Sequence, residues 1–181
     1  MKIILDDKEV TTIIERLAID VFLHTPNMSH LALIGIQSRG DKIAARLIES
    51  LHKKMKREGM ENPSIPLGIL NINFYRDDLK KNHDAPKIGD KMIDFDVTGK
   101  HVILVDDVFY TGRTVRAALD AIFEVGRPAR IAMLTLINRP GRELPVLPEF
   151  IGLALDVCED EYVKVKLKEV EGEDLVCVMK K

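Results

Sequence analysis

The sequence predicts an α/β protein whose central, mainly parallel sheet is flanked by helices. Three observations carry this. Continuous apolar runs recur at HLALIGI (30–36), HVILVDD (101–107) and ARIAMLTLI (129–137), the pattern of strands buried on both faces. Stretches of helical period lie between them, so strand and helix alternate. Small polar turns follow two of the runs, at the carboxyl ends where ligands bind in such sheets.

The elements follow in order. Thr11 or Thr12 is placed to cap a helix through about His24, with Ile13, Ile14, Leu17, Val21 and Phe22 as its apolar face. Pro26 and Asn27 end it. The strand at 30–36 leads through QSRG into an amphipathic helix over 41–57, with Ile43, Ala44, Leu47, Ile48 and Leu51 inward. Its basic end, HKKMKR, suits the negative end of the helix dipole and reads as a solvated face. IPLGILNINFY (65–75) is the next strand. Residues 76–100 are polar, and so long a segment is either a mobile functional loop or contains a hairpin. A helix over 113–124 follows the second buried run. Short strands are expected near 151–155, 162–168 and 174–179.

The 181 residues suit one domain, 1–181, with no repeat or linker. A formal net charge of -2 gives no global basic field for nucleic acid, though a local patch stays open. Cys158 and Cys177 lack metal-ligand spacing and read as plain thiols. The opening apolar run is broken at once by Asp6 and Asp7, unlike a signal peptide, and no run is long enough to span a bilayer. A cytoplasmic protein is the expectation.

The chemistry concentrates in VDDVFYTGRTV (105–115). Asp106 and Asp107 stand at the exit of a buried strand, where charge is costly unless compensated. Sugar hydroxyls can donate to them. Thr111, Gly112, Arg113 and Thr114 then form a small turn opening a helix, whose amides and dipole favour an anion. Together they fit a ribose 5-phosphate, with the diol on the aspartates and the phosphate in the turn. An ordinary capped turn would not need two adjacent acids. The other turn, GIQSRGDK (35–42), nearly matches a P-loop, but Asp41 replaces the lysine and no Ser or Thr follows. An ATPase is therefore excluded. A small-residue turn with one guanidinium, Arg39, can still clamp a diphosphate; alternatively Arg39 is a surface arginine.

VILVDDVFYTGRTV resembles the phosphoribosyl diphosphate signature of type I phosphoribosyltransferases. IGIQSRGDKIAARL, FYRDDL and RELPVLPEFIG extend the resemblance over nearly the full length to the PyrR family of pyrimidine regulatory proteins. It implies the type I fold, with a small hood and a flexible loop. It also implies uracil phosphoribosyltransferase activity, making UMP and diphosphate from uracil and phosphoribosyl diphosphate. Regulation of pyrimidine operon leader mRNA by attenuation, sensed through UMP or UTP, goes with it. Alternatives are a purine phosphoribosyltransferase without an RNA role and a regulator with minor catalysis. Purine enzymes usually carry an acid where Tyr110 stands, which favours a pyrimidine here.

The resemblance places the substrate on Ser38, Arg39, Gly40 and the run Asp106, Asp107, Val108, Phe109, Tyr110, Thr111, Gly112, Arg113 and Thr114. Arg76 would neutralise the departing diphosphate from the loop, while the roles of Asp77 and Asp78 stay open. Arg139 lies near the base, and the Val163 backbone contacts the uracil edge. Arg16 and Arg142 fall on the RNA face. Ile19, Gly141 and Leu147 replace residues that are often basic in relatives, and Asn138 and Pro140 also depart. Mg2+ is expected on phosphoribosyl diphosphate itself, with no protein side chain as its ligand. Dimers or higher homo-oligomers are expected.

Overall fold

A computed structural model of the chain describes residues 1–72 and 91–181. Arg76, Asp77, Asp78 and most of the expected loop at 76–100 lie outside the described residues.

The chain opens with a strand, β1 (Lys2–Leu5), built from the apolar run KIIL, which carried no strand expectation. Helix α1 (Asp7–His24) starts five residues before Thr12 because Asp6 is its cap. Asp6 accepts from the Glu9 amide at 2.9 Å and Glu9 accepts from the Asp6 amide at 2.8 Å, a reciprocal capping box. Thr11 and Thr12 are not the cap: their hydroxyls donate to the carbonyls of Asp7 and Lys8, one turn back. A short 3-10 turn (Met28–His30) leads into β2 (Leu31–Ile36), then α2 (Gly40–Arg57) and β3 (Leu67–Leu70). β3 starts two residues later than the expected strand over 65–75 and ends at Leu70; residues 73–75 of that expectation lie outside the described residues. Pro66 has no amide to give a ladder, although its carbonyl accepts from Leu33 at 2.9 Å. β4 (Lys91–Met92) pairs antiparallel with β3, so part of the long polar segment is strand.

β5 (His101–Phe109), α3 (Arg113–Val125), β6 (Arg130–Asn138) and β7 (Phe150–Ala154) follow close to expectation. The chain ends in β8 (Glu161–Lys166), a one-turn helix α4 (Lys168–Glu171) and β9 (Leu175–Lys180).

Among the described residues, six strands form the main sheet in the order β4-β3-β2-β5-β6-β7, and all but β4 run parallel. β1, β9 and β8 make a separate antiparallel sheet, the hood. Side chains alternate along each strand, so the core splits into two layers. Ile103 and Val105 join Leu17, Leu47 and Leu51 under α1 and α2. Val102 and Leu104 join Ala118 and Ile122 under α3. Val165 and Val176 of the hood enter the first layer, which binds the small sheet to the larger one. About 25 cal/mol per Å2 of apolar burial makes these layers the main stabilising term.

From β2 the chain proceeds to β3 on one side, and from β5 to β6 on the other. The order therefore reverses between β2 and β5, which are neighbours. A crevice at the carboxyl ends of these two strands is the place a ligand is expected in such a sheet. Two glycines bring α2 down onto that point. A Cβ on Gly35 would lie 2.3 Å from the Asp41 Cα, and one on Gly40 would lie 2.2 Å from the Val105 carbonyl oxygen. Neither position has room for a side chain.

Candidate active site

The two expected loops meet at this reversal. β5 pairs with β2 only as far as Gly35↔Val105, but with β6 as far as Phe109↔Asn138. The sequence suggested a strand ending at the aspartates. The strand in fact runs on through them, supported on one side by β6, and Asp106 and Asp107 stand where β5 has outrun β2. The period of two turns them to opposite sides of the strand. Asp106 shares the side of Leu104 and lines a cavity of about 420 Å3 with Tyr110, Thr111, Gly112, Arg113, Thr114 and Glu143. Asp107 shares the side of Val105, and its Oδ2 lies 3.9 Å from Arg39 Nη1.

Each carboxylate also accepts the next backbone amide, Asp106 Oδ1 from Asp107 and Asp107 Oδ1 from Val108, both at 2.9 Å. Burial pushes the Asp107 carboxyl above the ordinary aspartate range; nearby Arg39 offsets only part of that. The backbone carbonyl of Asp107 accepts the Thr135 hydroxyl at 3.4 Å.

The 420 Å3 cavity lies at the N-terminus of α3. Gly112, the N-cap of α3, has φ 91°, a left-handed conformation that glycine adopts without strain. As a glycine, the N-cap residue has no side chain with which to cap α3. α2 likewise has no side-chain cap. Thr111 Oγ accepts from the Arg113 amide at 3.3 Å, and the Thr111 carbonyl accepts from Glu143 at 3.0 Å and Leu144 at 3.2 Å. The segment after β6 thus packs on the turn. Arg113 donates from Nε to Glu143 at 2.8 Å.

Ser38 and Arg39 form the other turn, with Gly40 opening α2; the Gln37–Ser38 peptide is cis. Arg39 donates from Nε to Glu171 Oε1 at 3.1 Å and from Nη2 to the same oxygen. Glu171 belongs to α4 in the hood.

A second cavity, about 640 Å3, lies on the β6–β7 side and shares Phe109 with the first. Asn138, Arg139, Pro140, Arg142, Leu147, Ala154, Leu155 and Asp156 complete it. Its lining is more apolar, which suits a flat heterocycle. Arg139 is buried, and its guanidinium lies 4.2 Å from the centre of the Tyr110 ring. Arg139 Nη1 donates to the Glu161 carbonyl at 3.2 Å, while its Nε is buried without a partner. The ring reaches this place because residue 141 is glycine: a Cβ there would lie 2.2 Å from it.

Val163 is not brought to either cavity. Its side chain packs against the first core layer, and its strand β8 is an edge of the hood, adjoining Arg139 through Glu161. Arg16 is largely engaged in holding α1 to β7. It donates to the carbonyls of Ile151 and Gly152 and pairs with Asp20 at 3.3 Å. Arg142 is exposed at the mouth of the second cavity.

Sequence reasoning did not single out Glu171, Leu155 or Asp156. Glu171 sits in a polar stretch, KEVEGED, with no local mark of a site. Glu143 was visible only as part of the RELP match.

An acid pair, the start of α3 and an arginine turn come together where the strand order reverses, an arrangement suited to a phosphorylated sugar. The phosphoribosyl transferase domain family matches residues 1–162. The chain belongs to that family, and within it to the PyrR proteins. It is 41% identical over 175 residues to the bifunctional protein PyrR of Acetivibrio thermocellus, covering 97% of this chain and 92% of that one. It is 43% identical over 177 residues to that of Brevibacillus brevis, covering 97% and 95%. Among solved structures, a hypoxanthine-guanine phosphoribosyltransferase of Bacillus anthracis superposes with TM-score 0.67 at 18% identity, covering 97% and 96%. A hypoxanthine phosphoribosyltransferase of Staphylococcus aureus gives 0.69 at 14%, covering 97% and 90%. At such identities these two show the fold alone.

Proposed function

We propose that this phosphoribosyltransferase joins uracil to phosphoribosyl diphosphate, releasing UMP and diphosphate. The observation that carries this reading is the pairing of an Asp106-lined cavity at the start of α3, suited to phosphate, with an adjoining, more apolar cavity lined by Arg139, whose guanidinium rests on the Tyr110 ring of the first. The 5-phosphate sits on the amides and hydroxyls of Thr111 to Thr114. The ribose lies across the end of β5, with Asp106 and Asp107 on either side of the strand. The diphosphate meets Ser38, Arg39 and Gly40, with Arg76 as a further cation. The base enters beside Arg139, and the hood edge at Val163 offers backbone groups to its polar rim.

The bond from the anomeric carbon to diphosphate oxygen breaks as the bond to the uracil nitrogen forms, and that nitrogen's proton passes to the departing diphosphate or to water. Positive charge grows on the ribose ring during this exchange, as in glycoside chemistry. A carboxylate held in a dry crevice stabilises that charge more than one in water. The chain otherwise positions two reactants and keeps water out.

Mg2+ supplies charge neutralisation on the diphosphate when bound. Among the described residues no cluster of three or more metal-ligating side chains exists. Asp106 and Asp107 are hard oxygen donors near the ribose, so the donor set fits an ion carried on substrate oxygens and water.

The relatives are named bifunctional, and a second role on pyrimidine leader mRNA is proposed with the first. Arg142 is the exposed cation for it; Arg16 contributes whatever its ties to β7 leave free.

The test is formation of UMP by the purified chain from uracil and phosphoribosyl diphosphate with Mg2+. Turnover of hypoxanthine or orotate with none of uracil sinks the base assignment. A gel shift with leader RNA, with and without UMP, tests the second role.

A further inference from the structure

Two carboxylates from distant parts of the chain compete for Arg39. Asp107 is on β5, with its Oδ2 3.9 Å from Nη1. Glu171 is on α4, 132 residues from Arg39, and takes both Nε, at 3.1 Å, and Nη2. The two acids are similarly buried, with side chains 22% and 19% exposed. Distance and hydrogen bonding therefore decide the competition, and both favour Glu171. Its other oxygen, Oε2, accepts the Leu167 amide at 2.8 Å, so the carboxylate is fixed by the turn that bears it.

This pair is not what fastens the hood turn to the main sheet. Arg46 of α2 already does so, binding Glu169 at 2.8 Å and Asp174 at 2.8 Å. Glu171 occupies the Nε side of the guanidinium and leaves Nη1 facing the crevice. Among the described residues, the other acid paired with Arg39 is Asp107. Closure of that pair would draw the cation from the diphosphate turn and tie up a carboxylate meant for the ribose.

We propose that Glu171 is a positioning residue of the transfer reaction: it holds Arg39 away from Asp107, so that the guanidinium stays aimed at diphosphate and the carboxylate stays open to the sugar. This rests on assigning the 38–40 turn to diphosphate.

The test uses the full chain with Glu171→Gln, Glu171→Asp and Arg39→Gln. Inorganic diphosphate with Mg2+ is titrated by calorimetry, and phosphoribosyl diphosphate kinetics and Tm are measured beside it. Glu171→Gln is expected to weaken diphosphate binding and raise KM for phosphoribosyl diphosphate roughly tenfold, with kcat within about twofold and Tm unchanged. Glu171→Asp should recover most of the loss. Diphosphate binding that is unchanged or tighter in Glu171→Gln, while Arg39→Gln loses it, overturns this inference alone. Binding unaffected in Arg39→Gln overturns the turn's assignment, and the inference falls with it. A joint fall of kcat and Tm in Glu171→Gln that Asp does not rescue makes Glu171 a structural residue and also overturns the proposal.

Discussion

The two turns at the strand reversal are alike in position and unlike in construction. Both follow a central strand, and both open a helix that no side chain caps. The turn after β5 offers mainly neutral groups: the amides of α3, two threonine hydroxyls and a left-handed glycine. The turn after β2 offers one cation, Arg39, which is bonded to an acid from the hood. The difference follows the ligands proposed for them. A 5-phosphate stays bound through the reaction and needs a fixed cradle. A diphosphate gains charge as it leaves and needs a cation that answers that change.

The largest expected effect comes where the turns share a residue. Asp107→Asn should cost about 10²–10³-fold in kcat/KM, measured on uracil and phosphoribosyl diphosphate. It should also raise stability by about 1 kcal/mol near neutral pH, because burial opposes the charge on this acid. The pH dependence follows from the direction of the shift. The folded pKa is raised, so the cost of ionisation develops as pH rises through that value. In acid, below the unfolded pKa, Asp107 is protonated in both states and the advantage of Asn disappears. Tm measured against pH for both proteins should therefore diverge upward from acid. A constant difference would remove Asp107 as a destabilised acid, and unchanged activity would break the shared-residue view.

Glycine substitutions separate the two turns at a smaller scale. Gly40→Ala sets a Cβ 2.2 Å from the Val105 carbonyl oxygen, against backbone that cannot swing aside. Unfolding in urea should show a loss of about 2–3 kcal/mol, with diphosphate affinity reduced as α2 is lifted off β5. Gly112→Ala meets the side chain of Val146 at 2.9 Å and takes an unfavourable φ of 91°. A loss of about 1–2 kcal/mol is expected, with the effect on catalysis seen in the phosphate cradle. Equal losses in diphosphate binding for the two variants would contradict a division of labour between the turns.

The same contrast explains what was legible in the sequence. The turn after β5 is local: its acids, glycine and threonines lie within nine residues, 106–114, and each has a physical reason to be there. The parallel sheet was legible because buried strands write continuous apolar runs. The turn after β2 is made by contacts across the fold. Gly35, Gly40, Asp107 and Glu171 act on Arg39's setting from four separate elements, and no spacing joins them. β1 was missed because four residues against one hood strand leave too short a pattern. The start of α1 was misplaced because two threonines look like caps, whereas the reciprocal Asp6–Glu9 bonds decide it. The aspartates' opposite orientations follow from strand β5 continuing past them, held by its pairing with β6 after β2 has stopped.

Tyr110 lines the first cavity, yet its ring supports Arg139 of the second, and its substitution should have the smallest effect. The ring is 4.2 Å from the Arg139 guanidinium centre, so the contact is made by the aromatic face. The hydroxyl takes no part in it. Tyr110→Phe should therefore keep KM for uracil and kcat within about twofold, since the ring face that the cation meets is nearly the same. Tyr110→Ala removes the surface on which Arg139 rests and should raise KM for uracil by about fivefold, leaving KM for phosphoribosyl diphosphate almost alone. If Phe behaved like Ala, the hydroxyl would be reading the base and the stack would be incidental. If both raised the phosphoribosyl diphosphate KM instead, Tyr110 would belong to the cradle and the separation of base and phosphate cavities would fail.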